Sequence, residues 1–364
     1  MRVLHVLNHT RRLNGHVHAA VDLACAQVAL GHVAIVASGG GDLDPLLEAN
    51  GVLLAQIDHD RRALTLMRSL WALTRLVRAQ RPDVVHAHMM TSAVLAWPVC
   101  LLARIPLITT VHNEFEKSAI LMGLGRRVIA VSESVRVAMQ RRGISAKRLR
   151  VVLNGTIGSV RSQRGSETMV LESPSILFVG GLHPRKGLPD LLNAFSLVHA
   201  KYASARLYVV GDGPSIDEYR AMAAGLACAG AITFEGPRDD AFAFMKAADI
   251  LVLPSLSDPA PLTICEAREA GCAVIGTRTG GIPELLGQGE AGLLVPVQDP
   301  IALAAALTSL LDDPDELAKW RAKSQTKIED LTINRVALQT IDVYQDAQRN
   351  HTEPRRATDL GLAR

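Results

Sequence analysis

Three features of the 364-residue chain predict two doubly wound α/β units, each built on a parallel sheet. The length exceeds the roughly 100–200 residues of a common domain, so two cores are expected. Short β-branched runs alternate with amphipathic stretches almost throughout. Those runs are apolar along their whole length rather than at every second residue, as strands covered by helices on both faces must be. A composition of 48% hydrophobic, 21% charged and 4% aromatic residues fits such a fold and argues against disorder.

In the first unit, residues 1–155, strand runs stand at 3–7, 33–37, 53–57, 84–85, 107–111, 128–131 and 151–153. Helical patterns at 19–30, 66–80 and 135–142 fall between them, the rhythm of βαβ crossovers. The apolar stretch 93–103 contains Pro98 and is shorter than the roughly 20 residues a bilayer requires, so it predicts a buried helix feeding the strand at 107–111. Residues 156–174 (TIGSVRSQRGSETMVLESP) are polar and without period, and read as a linker. Alternation resumes in a second unit, 175–332, with runs at 176–179, 207–210, 232–234, 250–253, 273–275 and 293–295. Ile333, Val336, Ile341, Tyr344 and Ala347 mark a last amphipathic helix at 333–350, expected to pack back on the first unit. The tail 351–364 has no period and reads as frayed. Two such sheets are expected to face each other across a cleft at their strand ends, where ligands bind.

The net charge of +3 is too small to imply nucleic-acid binding, but it is unevenly divided. Residues 1–155 hold 19 basic against 10 acidic side chains, and residues 156–364 hold 20 against 26. The basic half includes Arg68, Arg75, Arg78 and Arg81 on one helix and the pairs Arg126-Arg127 and Arg141-Arg142. Either this is a solvated face, or it attracts an anionic membrane surface or acceptor. Basic residues are not interleaved with aromatics, which argues against a nucleic-acid partner. Five scattered cysteines without a CxxC pair argue against a disulfide framework or a thiolate zinc site and suit the cytosol. The apolar run 3–7 is too short for an export signal.

The most informative segment is LPSLSDPAPLTICEAREAGCAV at 253–274. A strand gives way to a proline-rich loop, and a helix opens near Leu262, with Asp258 in the loop and Glu266 expected in the first turn. Free amides at a helix start favour a phosphate. A carboxylate beside them can accept paired hydrogen bonds from a vicinal diol such as a ribose. Acids near a helix start are also ordinary dipole partners, and spacing alone leaves both readings open.

With that segment in view, the chain resembles the retaining glycosyltransferases of family 4, whose architecture is the GT-B fold of two Rossmann-like domains. The motifs fall in the family's order: NGH at 14–16, DVVHAH at 83–88, TTVH at 109–112, VIAVSE at 128–133 and Asn154-Gly155. The second half supplies VGGLHPRKG at 179–187, VGDGP at 210–214, the Asp258–Glu266 segment and GGIPE at 280–284. The resemblance implies transfer of a sugar from a nucleotide-diphosphate sugar to a saccharide or lipid-linked acceptor, without a bound metal. It places Lys186 against the donor diphosphate and gives Gly15 the close backbone approach to it. It further places Glu266 on the ribose, Asp258 on hydroxyls of the transferred sugar and His112 at the reaction centre. Pro261, Leu262 and Thr263 form the helix start at the donor.

Two positions depart from the family pattern. Glu is usual at position 258, and Arg is common at the position of Gly181, where it braces the diphosphate; Arg185 is the candidate substitute. Three rival readings remain at this level. One is a nucleotide-sugar-binding protein with impaired turnover, and another a sugar-nucleotide epimerase. The third is a metal-dependent hydrolase built on His86 and His88, for which the sequence suggests no third ligand. Asp42-Leu-Asp44 and Asp58-His-Asp60 likewise lack further partners, and no GxGxxG layout supports a nicotinamide enzyme.

Overall fold

The computed structural model describes residues 1–12, 14–58, 63–162 and 169–349. It divides into two compact units, Met1–Gly155 with Ile333–Arg364 and Thr156–Thr332. The tail predicted at 351–364 and the acidic pair partner Asp60 lie outside the described residues.

The first unit runs β1 (Arg2–Val6), α1 (Gly15–Ala29), β2 (Val33–Ser38), α2 (Asp44–Ala49), β3 (Leu53–Gln56) and α3 (Ala63–Gln80). It continues with β4 (Val84–Ala87), α4 (Met90–Ala103), β5 (Leu107–Val111), β6 (Arg127–Ala130), α5 (Glu133–Arg141) and β7 (Leu149–Val151). The strands pair in parallel in the order β3-β2-β1-β4-β5-β6-β7. The order reverses between β1 and β4, the place where open α/β sheets bind ligands beyond their carboxyl ends. The inner strands are buried on both faces, β4 and β5 at every position, while the edge strands β3 and β7 are largely open. Two helix readings need correction. α4 is not wholly buried, since Leu101 and Leu102 near its end are 58% and 84% exposed. Arg81, read as helical, lies beyond the end of α3 with φ 47°.

The second unit runs β8 (Ser175–Val179), α6 (Leu188–His199), β9 (Arg206–Val210), α7 (Ile216–Ala224), β10 (Ile232–Gly236), α8 (Ala241–Ala247) and β11 (Ile250–Leu253). Then come α9 (Leu262–Ala270), β12 (Ala273–Thr277), α10 (Ile282–Leu285), β13 (Leu293–Val295), α11 (Pro300–Asp312) and α12 (Pro314–Lys323). Its sheet order is β10-β9-β8-β11-β12-β13, all parallel, with the reversal between β8 and β11. Asp299 and Asp313 cap α11 and α12 ahead of a proline at the first helical position.

The chain returns to the first unit as α13 (Ile333–Arg349). Ile341, Tyr344 and Ala347 repeat at helical spacing and join Val3, Val84, Ile108 and Ile129 in one buried cluster. Arg127 and Arg150, from β6 and β7, both reach Asp346 on this helix at 2.8 Å.

Candidate functional site

In the second unit Lys186 and Asp258 stand on the connections that follow β8 and β11 at the sheet reversal, and Leu262, Thr263 and Glu266 stand on α9. β8 ends at Val179, and the chain passes Gly180-Gly181 into a 3₁₀ turn, Pro184–Lys186. Gly187 then turns the backbone into α6 at φ 67°. A Cβ at 187 would stand 2.0 Å from the Pro254 carbonyl oxygen, so only glycine permits this approach of the β8 and β11 loops. The Arg185 carbonyl accepts from Leu256 N (2.8 Å) and Ser257 N (3.3 Å), closing the same contact.

This stitching brings Lys186 Nζ to 2.5 Å from Asp258 Oδ2, with Ser255 Oγ 3.3 Å from the same oxygen. The two charged side chains are 12% and 5% exposed. Little solvent screens this ion pair, so each of its charges acts strongly on a group brought beside it. Asp258, assigned by the resemblance to hydroxyls of the transferred sugar, is thus in direct contact with the Lys186 ammonium. The loop after β12 holds Asp258 from behind. Gly281 N donates to the Asp258 carbonyl (3.0 Å), Thr279 Oγ1 donates to Leu256 O (3.2 Å) and Thr277 Oγ1 to Ser255 O (2.5 Å).

α9 begins after Pro261 with Leu262 and Thr263, and no side chain caps it. Glu266 is the fifth residue of that helix and so lies in its second turn, not the first. Its carboxylate accepts from Arg161 Nη2 at 3.2 Å. Arg161 belongs to the stretch read as linker, yet residues 156–162 are packed into the second unit. Thr156 and Ser159 are buried, and Gly158 N and Ser162 Oγ donate to Glu269 at 3.0 and 3.4 Å. Burial raises the Glu269 carboxyl above its ordinary range. The polar composition misled because Glu266 and Glu269 of α9 accept from Arg161, Gly158 and Ser162 of that segment.

The first unit gathers a second set of groups at its own reversal. Gly15 opens α1; it is exposed, and a Cβ there would meet nothing within 4 Å. His5 of β1 pairs in register with His86 of β4, His88 follows that strand, and His112 follows β5. The His88 and His112 rings stack at 5.5 Å, and His16 stands 6.3 Å from His112. Burial lowers the His5 and His16 pKa values to about 4 and that of His112 to about 3, and it holds His86 and His88 well below 6.5. All five are neutral at pH 7.

Nitrogens of His5, His86 and His88 lie within 4.8 Å of one another, so the third histidine that the sequence did not suggest is present. Each of their six ring nitrogens is nevertheless hydrogen-bonded. His5 reaches His88 (3.0 Å) and Gln27 (2.9 Å), His86 reaches Tyr344 and Thr110 (both 2.7 Å), and His88 reaches His112 (3.2 Å). A neutral imidazole has one lone pair. All three lone pairs are already accepting, so the trio fits a hydrogen-bonded network better than a cation.

Residues 13–156 match the family model described as Glycosyltransferase Family 4, and residues 173–313 match Glycosyl transferases group 1. D-inositol 3-phosphate glycosyltransferase of Corynebacterium glutamicum is 30% identical over 74% of this chain and 73% of its own length. The chain belongs to the family 4 glycosyltransferases. Phosphatidyl-myo-inositol mannosyltransferase of Mycolicibacterium smegmatis is 28% identical over 72% of this chain and 71% of its own. Among solved structures, Anabaena HepE in complex with UDP-glucose superposes with a TM-score of 0.81 at 20% identity, covering 95% of this chain and all of that one. WaaG, a glycosyltransferase involved in lipopolysaccharide biosynthesis, gives 0.73 at 16% identity, over 94% and 99%. The two parallel-sheet units are thus those of a GT-B glycosyltransferase.

Proposed function

We propose that this glycosyltransferase is a retaining enzyme that moves a hexosyl group from a UDP- or GDP-sugar to a saccharide or lipid-linked acceptor in envelope or exopolysaccharide glycan synthesis. The observation that carries the reading is the buried Lys186–Asp258 pair at the carboxyl ends of β8 and β11. Breaking the bond between sugar and diphosphate leaves negative charge on the departing phosphate. Lys186 is the ammonium that neutralises it, and its neighbour Arg185 stands in for the arginine that Gly181 replaces. The α9 start at Pro261, Leu262 and Thr263 adds dipole stabilisation, Glu266 accepts from the ribose hydroxyls, and Asp258 accepts from hydroxyls of the sugar. The first unit contributes Gly15, whose open backbone suits a phosphate, and His112 for the sugar. HepE, which shares the fold, was crystallised with UDP-glucose, which supports a uridine donor.

On the acceptor side, α3 presents the surface that meets a lipid-linked acceptor. Leu64, Met67 and Trp71 are 65–70% exposed on a helix that also carries Arg68, Arg75 and Arg78. Arg75 lies 5.7 Å over the Trp71 ring, and Arg78 lines the same hollow. Exposed apolar residues among arginines suit peripheral contact with an anionic lipid surface. No helix among the described residues is long and apolar enough to cross a membrane. Five free, buried cysteines fit the cytosolic side.

The test is donor hydrolysis without acceptor. Incubation with UDP-glucose or GDP-mannose releases nucleoside diphosphate slowly, and the freed sugar appears first as the anomer of the donor by proton NMR. Tight binding without release identifies a binding protein instead. Co-sedimentation with phosphatidylglycerol but not phosphatidylcholine vesicles, lost when Arg68, Arg75 and Arg78 become Gln, checks the lipid surface.

A further inference from the structure

The histidine network of the first unit continues through two residues that lie far apart in sequence. Gln27 of α1 places its amide NH₂ 3.2 Å from the Tyr344 hydroxyl and its amide oxygen 2.9 Å from His5 Nε2. Tyr344, on α13, is fully buried, as are His5, Gln27 and His86. The contacts form one unbranched path: Thr110, His86, Tyr344, Gln27, His5, His88, His112. A neutral imidazole has one N–H and one lone pair on opposite nitrogens, so fixing one bond fixes every other along the path.

Gln27 supplies the fixed bond. Its NH₂ donates to the Tyr344 oxygen, so the Tyr344 O–H donates to His86 Nδ1, and His86 Nε2–H donates to Thr110 Oγ1. On the other side the Gln27 oxygen accepts from His5 Nε2–H. His5 Nδ1 then accepts from His88 Nε2–H, and His88 Nδ1 accepts from His112 Nε2–H. The path ends at His112 Nδ1, which has no hydrogen-bond partner among the described residues.

We infer that this buried path sets the tautomer of His112, presenting its Nδ1 as a hydrogen-bond acceptor for a hydroxyl of the transferred sugar, with Gln27 and Tyr344 as positioning residues remote from the substrate. The inference rests on the proposed role of His112 at the sugar. A histidine free to exchange tautomers spends part of its time as a donor there and accepts less of the time. A buried path in which every donor and acceptor is matched resists that exchange, because reversing one member strands two polar groups away from water. It also gives α13 a task beyond covering apolar surface: the helix carries the one hydroxyl that joins the His86 arm to the Gln27 arm.

The experiment is nitrogen NMR of the full chain labelled with ¹⁵N-histidine at pH 7, with His112→Gln to assign the resonance. The wild type gives a single His112 form with Nε2 protonated and Nδ1 bare. In Tyr344→Phe, where Gln27 loses the partner that orients it, both tautomers appear. Donor turnover by that variant falls about tenfold in kcat, the worth of one well-placed hydrogen bond, with donor KM within about twofold. Gln27→Met, which cuts the path nearer His112, gives the same mixture and serves if the tyrosine variant does not fold. A protonated Nδ1 in the wild type, an unchanged single tautomer in both variants, or nitrogen shifts that follow added zinc each overturn the inference. Loss of donor turnover in the wild type itself, with the single tautomer intact, counts instead against the proposed function.

Discussion

A Cβ on Gly280 would stand 1.7 Å from the carbonyl oxygen of Asp258, and its φ of 55° lies where side chains are strained. The glycine therefore decides where the Asp258 loop sits, although it touches no ligand itself. Gly280→Ala is expected to cost about 2–4 kcal/mol, combining left-handed strain with a backbone clash. It also moves Asp258 away from Lys186, so nucleotide-sugar affinity falls with stability, as calorimetry and a denaturant titration together measure. At this scale Lys186, Asp258 and Glu266 were legible because each sits within a short local motif. Arg161, His5, Gln27 and Tyr344 were not, since their partners come from distant chain; Gln27 and Tyr344 are 317 positions apart. No local pattern records such a pair. The one local hint lay in His86-Ala-His88, where a strand puts both rings on one face.

Among the elements, α13 shows how a single side chain can anchor a returning helix. Asp346 meets Arg127 Nε and Arg150 Nη2 at 2.8 Å each, and the two guanidiniums hold its carboxyl below the usual range. Asp346→Asn removes the charge that both arginines share. It lowers the denaturant midpoint by the equivalent of about 1–2 kcal/mol, less in high salt because the group is partly exposed. An unchanged midpoint would show that apolar packing alone holds the helix. Strand positions were readable to within a residue or two, since continuous apolar runs leave no other element that length. Helix starts were less so: α1 begins at Gly15 and α3 at Ala63, ahead of the apolar stripes that revealed them. The 156–162 segment escaped because its partners, Glu266, Glu269 and Leu331, lie far along the chain.

Over the molecule, five neutral histidines in one unit impose a direction on pH stability. Their folded pKa values lie below the ordinary 6.5, so the unfolded chain binds more protons between that value and about 4. The stabilisation they share is complete above about pH 6.5 and is lost as pH falls toward 4. Thermal melts across pH 8 to 4 are expected to be level and then fall steeply; a melting temperature constant down to pH 4.5 would contradict the buried network. The two-unit plan was legible from length and rhythm, because a doubly wound sheet writes its strands as evenly spaced apolar runs.

The most direct measurement is calorimetric titration of UDP, UMP and uridine into the wild type, Lys186→Ala and Lys186→Arg, with folding of each variant checked by its melt. Lys186→Ala is expected to weaken UDP at least tenfold, Lys186→Arg to recover part of the loss, and uridine to bind all three alike. Equal UDP affinity in the wild type and a folded Lys186→Ala protein would contradict the claim that this ammonium grips the diphosphate.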